Sequence, residues 1–201
     1  LLLGTLLTAG FLIRVPYVVY WDIFFSSDTA ILGLMAKHFL RGEFAPYYWG
    51  EGYYGSLDPL LLMPLFRIWG ATPCVMHCLP LFFSLTLITG YFFYLRAITD
   101  EKTAAVSTLI LALAPPAFQS ITFSTYNYIL VMNLGLAHFL LAKRISHGAR
   151  NRGLLFAFGL VAGFSWYYFR LIALFWAAIA LHFFIARTGP EQWTDIKNRL
   201  R

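Results

Sequence analysis

Four carboxylates, Asp28, Glu43, Glu51 and Asp58, stand among tyrosines and glycines in "FFSSDTAILGLMAKHFLRGEFAPYYWGEGYYGSLDPLLLMPLF". A positioned carboxylate takes up the proton of an attacking hydroxyl, or holds a divalent cation. Asp28 follows Ser27, a helix-start signal, so it also reads as an acid that complements the positive end of a helix dipole. Glu51 lies between Gly50 and Gly52 and suits contacts to substrate hydroxyls. Asp58 precedes Pro59, so substrate contact competes there with the plain role of opening a helix.

The flanking aromatics carry two readings as well. Tyr47, Tyr48, Trp49, Tyr53 and Tyr54 fit a belt at the lipid headgroup level, and flat rings equally stack on the C–H face of a pyranose. A phosphate-bearing ligand needs a cation. Arg170, in "WYYFRLIALFW", is the first candidate for such a clamp, against a snorkelling role at the interface. Arg14 and Arg67 follow it. Tyr126 and Asn127 open an apolar run on the same side and either line a cavity or cap a helix. His38 reads as a packing histidine. Cys74, His77 and Cys78 form "CVMHC", three donors without a fourth; they read as packing residues, with no metal and no disulfide framework.

These residues need a scaffold, and composition names it. The chain of 201 residues is 60% hydrophobic with 12% charged, about half the charge of a soluble domain, so the solvent for most of its surface is lipid. The net charge of +6 then reflects topology and excludes a nucleic-acid partner. Apolar runs at 1–13, 78–95, 103–118, 128–142, 153–168 and 171–186 predict about six transmembrane helices in an all-α polytopic fold. Pro115 and Pro116 break the third, and only "YFR" separates the last two. Segments 96–102, 143–152 and 187–201 hold ten of the fifteen Lys and Arg residues, which places them inside and residues 15–72 outside. Within that outer loop, Ile31, Leu34, Met35 and Phe39 recur at helical spacing up to Gly42, and "SLDPLLLMPLFRIWG" forms a second short amphipathic surface helix.

The combination of "SSDTAILGLMAKHFLRGEF" with "YYWGEGYYGSLDPLLLMPLFRIWG" and "YNYILVMNLGLAHFLLAKR" resembles the membrane-embedded GT-C glycosyltransferases. The likeness is to the bacterial branch with protein mannosyltransferases, aminoarabinose transferases and rhizobial core-sugar transferases. It implies that residues 1–201 are one transmembrane module, the N-terminal part of a longer protein, in the bacterial inner membrane with its site facing the periplasm. Asp28 matches the family's essential first-loop acid. The activity implied is transfer of a sugar from a polyprenyl-phosphate donor to a lipid, glycan or protein acceptor. No cofactor is obligatory, although some members use a divalent cation. Many relatives carry a basic residue where Ser56–Asp58 stand here. The alternatives are a transporter or flippase and a non-catalytic assembly subunit; the clustering of charge in a loop speaks against the former.

Overall fold

The computed structural model describes residues 1–124, 126–146 and 151–187. Arg150 and the basic tail from 188 onward, which entered the orientation argument, lie outside the described residues. The described chain is all-helical, with two isolated bridges, Tyr47 to Gly55 and Tyr54 to Phe169, as its extended pairings.

Three helices are long and apolar enough to cross a membrane: α1 (Leu2–Val19), α5 (Pro73–Arg96) and α8 (Tyr126–Ser146, its apolar part ending at Ile145). A fourth crossing is made if α6 (Glu101–Ala112) and α7 (Pro116–Ser124) count as one span bent by 66°. Of the six spans expected from sequence, three or four are matched by such helices among the described residues. The last two apolar runs fold as α9 (Arg152–Tyr168, 17 residues) and α10 (Ala173–Arg187, 15 residues). They meet at Phe169 and a 3-10 turn, Arg170–Ile172, the tight corner expected from "YFR".

The bend has a local cause and a distant partner. Pro115 and Pro116 have no N–H, so the carbonyls of Leu111 and Ala112 at the end of α6 lack their intrahelical donors. Arg14, only 2% exposed, fills that need. Its Nη1 donates to Ala112 O at 2.7 Å and to Gly10 O at 3.0 Å, and its Nη2 to Leu111 O at 3.4 Å. A cation at a helix C-terminus also complements the dipole. The sequence reading ended the first span at Arg14 and Pro16 and kept Arg14 as a phosphate contact; instead α1 runs through Pro16, and the guanidinium is bound to backbone inside the bundle.

Helices α5 and α8 are joined by polar contacts within the apolar body. Asn133 Nδ2 donates to Phe83 O at 2.9 Å and Thr86 Oγ to Asn133 Oδ1 at 3.0 Å. Gly135 lets α8 approach α10, since a Cβ there would meet the Phe175 ring at 2.1 Å. Cys74 and Cys78 are exposed on α5 rather than packed inside, while His77 between them is buried.

The segment between α1 and α5 contains α2 (Trp21–Phe24), α3 (Ser27–Phe39) and α4 (Leu57–Trp69). The cap of α3 is Ser26, one residue before the expected Ser27: Ser26 Oγ accepts from Thr29 N at 3.2 Å. Ser26 and Thr29 hydroxyls also donate to Ser124 O, at 3.0 and 2.8 Å, fixing the start of α3 to the end of α7. Leu32, Met35, Ala36 and Phe39 form its buried stripe and pack with α4 and α5, so this stripe faces protein.

Candidate functional site

Between α3 and α4 the chain doubles back. Tyr48 N donates to Tyr54 O at 2.8 Å, Tyr47 bridges Gly55, and Glu51 N donates to Tyr48 O at 3.0 Å across a turn with Gly50 at φ +88°. The sequence of aromatic pairs and glycines thus forms a small hairpin with Glu51 at its tip. Tyr48 O–H donates to the backbone oxygen of Asp28 at 3.4 Å, which holds the hairpin over the first turn of α3. On its other side Gly55 N donates to Tyr168 O at 2.8 Å. A Cβ on Gly55 would lie 2.8 Å from Tyr167 O, so glycine is what permits this approach of loop to α9.

These contacts enclose a cavity of about 110 Å³ lined by Asp28, Leu32, Tyr48, Glu51, Tyr53, Tyr54, Asn127, Tyr128 and Phe169. The four lining elements are the start of α3, the hairpin, the N-terminal end of α8 and the corner after α9. Asn127 is 5% exposed, and its Oδ1 has no hydrogen-bond partner. Buried carbonyl oxygens are rarely left so, and this one lies in the wall of a cavity. Burial pushes the Tyr48 phenol up to about 12, with the charges of Asp28 and Glu51 adding to the effect. Hydrogen bonding to Glu51 raises the Tyr53 phenol. Both phenols therefore remain donors at neutral pH.

Asp28, Glu51, Tyr48, Tyr54 and Asn127 are thus brought together, and four other candidates are not. Tyr47 is exposed, its ring 5.7 Å from Tyr167. Tyr126 is fully buried one residue behind the cavity, packed edge-on to His77. Asp58 is fully buried and accepts hydrogen bonds from Tyr54 and Tyr168. Arg170 is exposed, with its guanidinium over the Trp166 ring at 5.9 Å; it follows a lining residue in the chain without lining the cavity. His38, expected to pack, pairs with Glu43 and stands edge-on to Trp49.

Sequence reasoning missed Tyr128 and Phe169. Tyr128 had been absorbed into the start of an apolar run, although Tyr126, Asn127 and Tyr128 together signal an amphipathic helix end. Phe169 carried no signal, because its role comes from the corner beside it.

The lining carries two carboxylates and no Lys, Arg or His. Asp28, Glu51 and the unpartnered Asn127 oxygen are hard oxygen donors of the kind Mg²⁺ or Ca²⁺ accepts. Among the described residues no group of three His, Cys, Asp or Glu side chains gathers. The polar cavity also adjoins apolar surface. Tyr128 lines both it and a groove of about 400 Å³ along α8 and α10, with Leu171 and Leu174. Met132, Phe139 and Phe175 line that groove and also a further one of about 710 Å³ that reaches Leu111 and Pro115. A separate apolar groove of about 670 Å³ lies between α4 and α5.

Comparison with protein-family models, with curated proteins and with solved structures finds no match.

Proposed function

We propose that this protein is a membrane glycosyltransferase of the GT-C kind, moving a sugar from a polyprenyl-phosphate donor to an acceptor on the outer side of the membrane. One observation carries the reading: a cavity holding Asp28, Glu51 and the unpartnered Asn127 oxygen shares Tyr128 with an apolar groove running along α8. A polar pocket adjoining an apolar track suits a ligand with a hydroxylated head and a long hydrocarbon tail. At about 110 Å³ the pocket is below the ~300–1,000 Å³ of sites that engulf a whole ligand. It accommodates part of a sugar, with the carrier outside it.

In this mechanism the acceptor oxygen attacks the anomeric carbon while the bond from that carbon to the phosphate oxygen breaks. The bonding pair leaves with the polyprenyl phosphate, and the acceptor's proton passes to the Asp28 carboxylate. Glu51 and Asn127 Oδ1 accept from sugar hydroxyls, and the tyrosine faces pack against the ring. The phosphate stays outside the cavity, where Arg170 on the adjoining corner, next to the lining residue Phe169, is the candidate cation. Asp28 and Glu51 are the residues that would hold a divalent cation, which would screen phosphate charge; no step above depends on it.

A transporter is the second reading, favoured by the bent α6–α7 pair and the buried Arg14 beside it. That guanidinium is taken up by backbone carbonyls, which is the pattern of a structural bond. The test is purified protein in lipid nanodiscs given polyprenyl phosphates carrying radiolabelled sugars, together with membrane extract as acceptor source. Movement of label to an acceptor supports the transferase. Label that crosses the bilayer of proteoliposomes while still attached to its carrier supports the transporter.

A further inference from the structure

Asp58 is a carboxylate for which the transfer step has no use. It is fully buried and accepts from the Tyr54 hydroxyl and from the Tyr168 hydroxyl, the latter at 2.9 Å to Oδ2 and 3.1 Å to Oδ1. Tyr54 belongs to the hairpin, Tyr168 to the end of α9 and Asp58 to the first turn of α4. One carboxylate therefore joins three segments distant in sequence. Two of them carry the cavity wall, through Tyr54 itself and through Phe169, and the Gly55 to Tyr168 backbone bond runs alongside.

We propose that Asp58 is the positioning residue of the cavity: a latch whose proton occupancy sets how firmly the hairpin is held against the α9 corner. The latch rests on the three-segment geometry and on the burial of the Asp58 carboxyl; only the purpose of the cavity rests on the function proposed above. The titratable groups facing Asp58 are Tyr54 from the hairpin, Tyr168 from α9 and Tyr126 from α8, with Cys78 of α5 beyond Tyr126. On α3, which packs on α4, Lys37 is exposed and His38 pairs with Glu43. Among the described residues no cation figures among the charges acting on the carboxylate.

Burial pushes the Asp58 carboxyl from 3.8 up to about 6, against the pull of the two tyrosine hydrogen bonds. A carboxyl released by opening of the hairpin returns toward its ordinary value, so the closed form holds the proton more tightly than the open form. Closure is fully favoured below the ordinary value and loses that advantage as pH rises through about 6. Acid tightens the latch and neutral pH loosens it, by up to about 100-fold in the opening equilibrium.

Hydrogen exchange of the full chain in nanodiscs, between about pH 4.5 and about pH 8 and corrected for the intrinsic pH dependence of exchange, tests this. Protection of residues 44–57 is expected to fall as pH rises through the Asp58 midpoint, while α5 peptides stay constant. Asp58→Asn, uncharged at every pH, is expected to keep high protection with no pH dependence; it retains the His38–Glu43 pair and so controls for it. Tyr168→Phe removes a bond that favours the ionised carboxyl, so its midpoint is expected to move up, which decides the matter should Asp58→Asn fail to fold. A flat wild-type profile, a pH slope surviving in Asp58→Asn, or an unmoved midpoint in Tyr168→Phe overturns the proposal. Failure to transfer sugar leaves this readout unaffected.

Discussion

Asp28 and Asp58 start out alike. Each is an acid in the first turn of a 13-residue helix, α3 or α4, and each stands two residues after the serine at the N-cap, Ser26 or Ser56, and opens an apolar stripe. Their fates diverge through partners that neither helix supplies. Over Asp28 lies a hairpin that touches its backbone and leaves the carboxylate in a cavity. Over Asp58 close two tyrosines, one of them 110 residues away, and the carboxylate is sealed. The same local chemistry yields an open acid beside an unpartnered Asn127 oxygen and a sealed acid with its acceptor capacity occupied. Capping patterns thus say where an acid sits on its helix; whether it meets substrate is decided by what folds over it.

The contrast breaks most visibly by substituting the two acids with alanine. Asp58→Ala leaves the Tyr54 and Tyr168 hydroxyls buried without their acceptor, at about 1–3 kcal/mol for each unsatisfied group. A loss of about 2–6 kcal/mol is expected, read as a lowered thermal midpoint in nanodiscs. Asp28→Ala, at an exposed position, is expected to change stability by no more than about 0.5 kcal/mol. Equal destabilisation by the two would erase the distinction.

Gly55→Val sharpens the comparison from the hairpin side. Its Cβ would meet the Tyr167 carbonyl oxygen at 2.8 Å, so the hairpin must lift off α9 or α9 must yield, at about 1–3 kcal/mol. Greater proteolytic nicking near residues 44–57 is the measurement. The smallest effect belongs to Arg170→Ala, which removes an exposed contact with Trp166 worth about 0.5–1 kcal/mol. A thermal shift larger than that of Gly55→Val would mean that Arg170 has a structural partner beyond the Trp166 ring.

Features written in consecutive residues were legible in the sequence. The "SLDP" start of α4, the break at Pro115–Pro116 and the tight corner at "YFR" follow from proline and capping chemistry, and all three stand in the fold. The count of spans was only partly legible: three or four of the six apolar runs form long apolar helices among the described residues, while those at 153–168 and 171–186 form the shorter α9 and α10. Arg14 was misplaced for a different reason: its partner, Ala112, lies 98 residues away, and no local pattern reveals a cation that satisfies another helix's carbonyls. The site was half legible. Asp28, Glu51 and Asn127 were named from residue type and spacing, whereas Tyr128 and Phe169 entered through the packing of α8 and α9 against the hairpin.

The most direct test of the central claim is the rate of sugar transfer from labelled polyprenyl phosphate by Asp28→Asn in the full chain, with hydrogen exchange of residues 44–57 followed in the same preparation. The account expects transfer to fall by about 100-fold or more while the hairpin remains as protected as in the wild type. Transfer at the wild-type rate with an intact hairpin would contradict it.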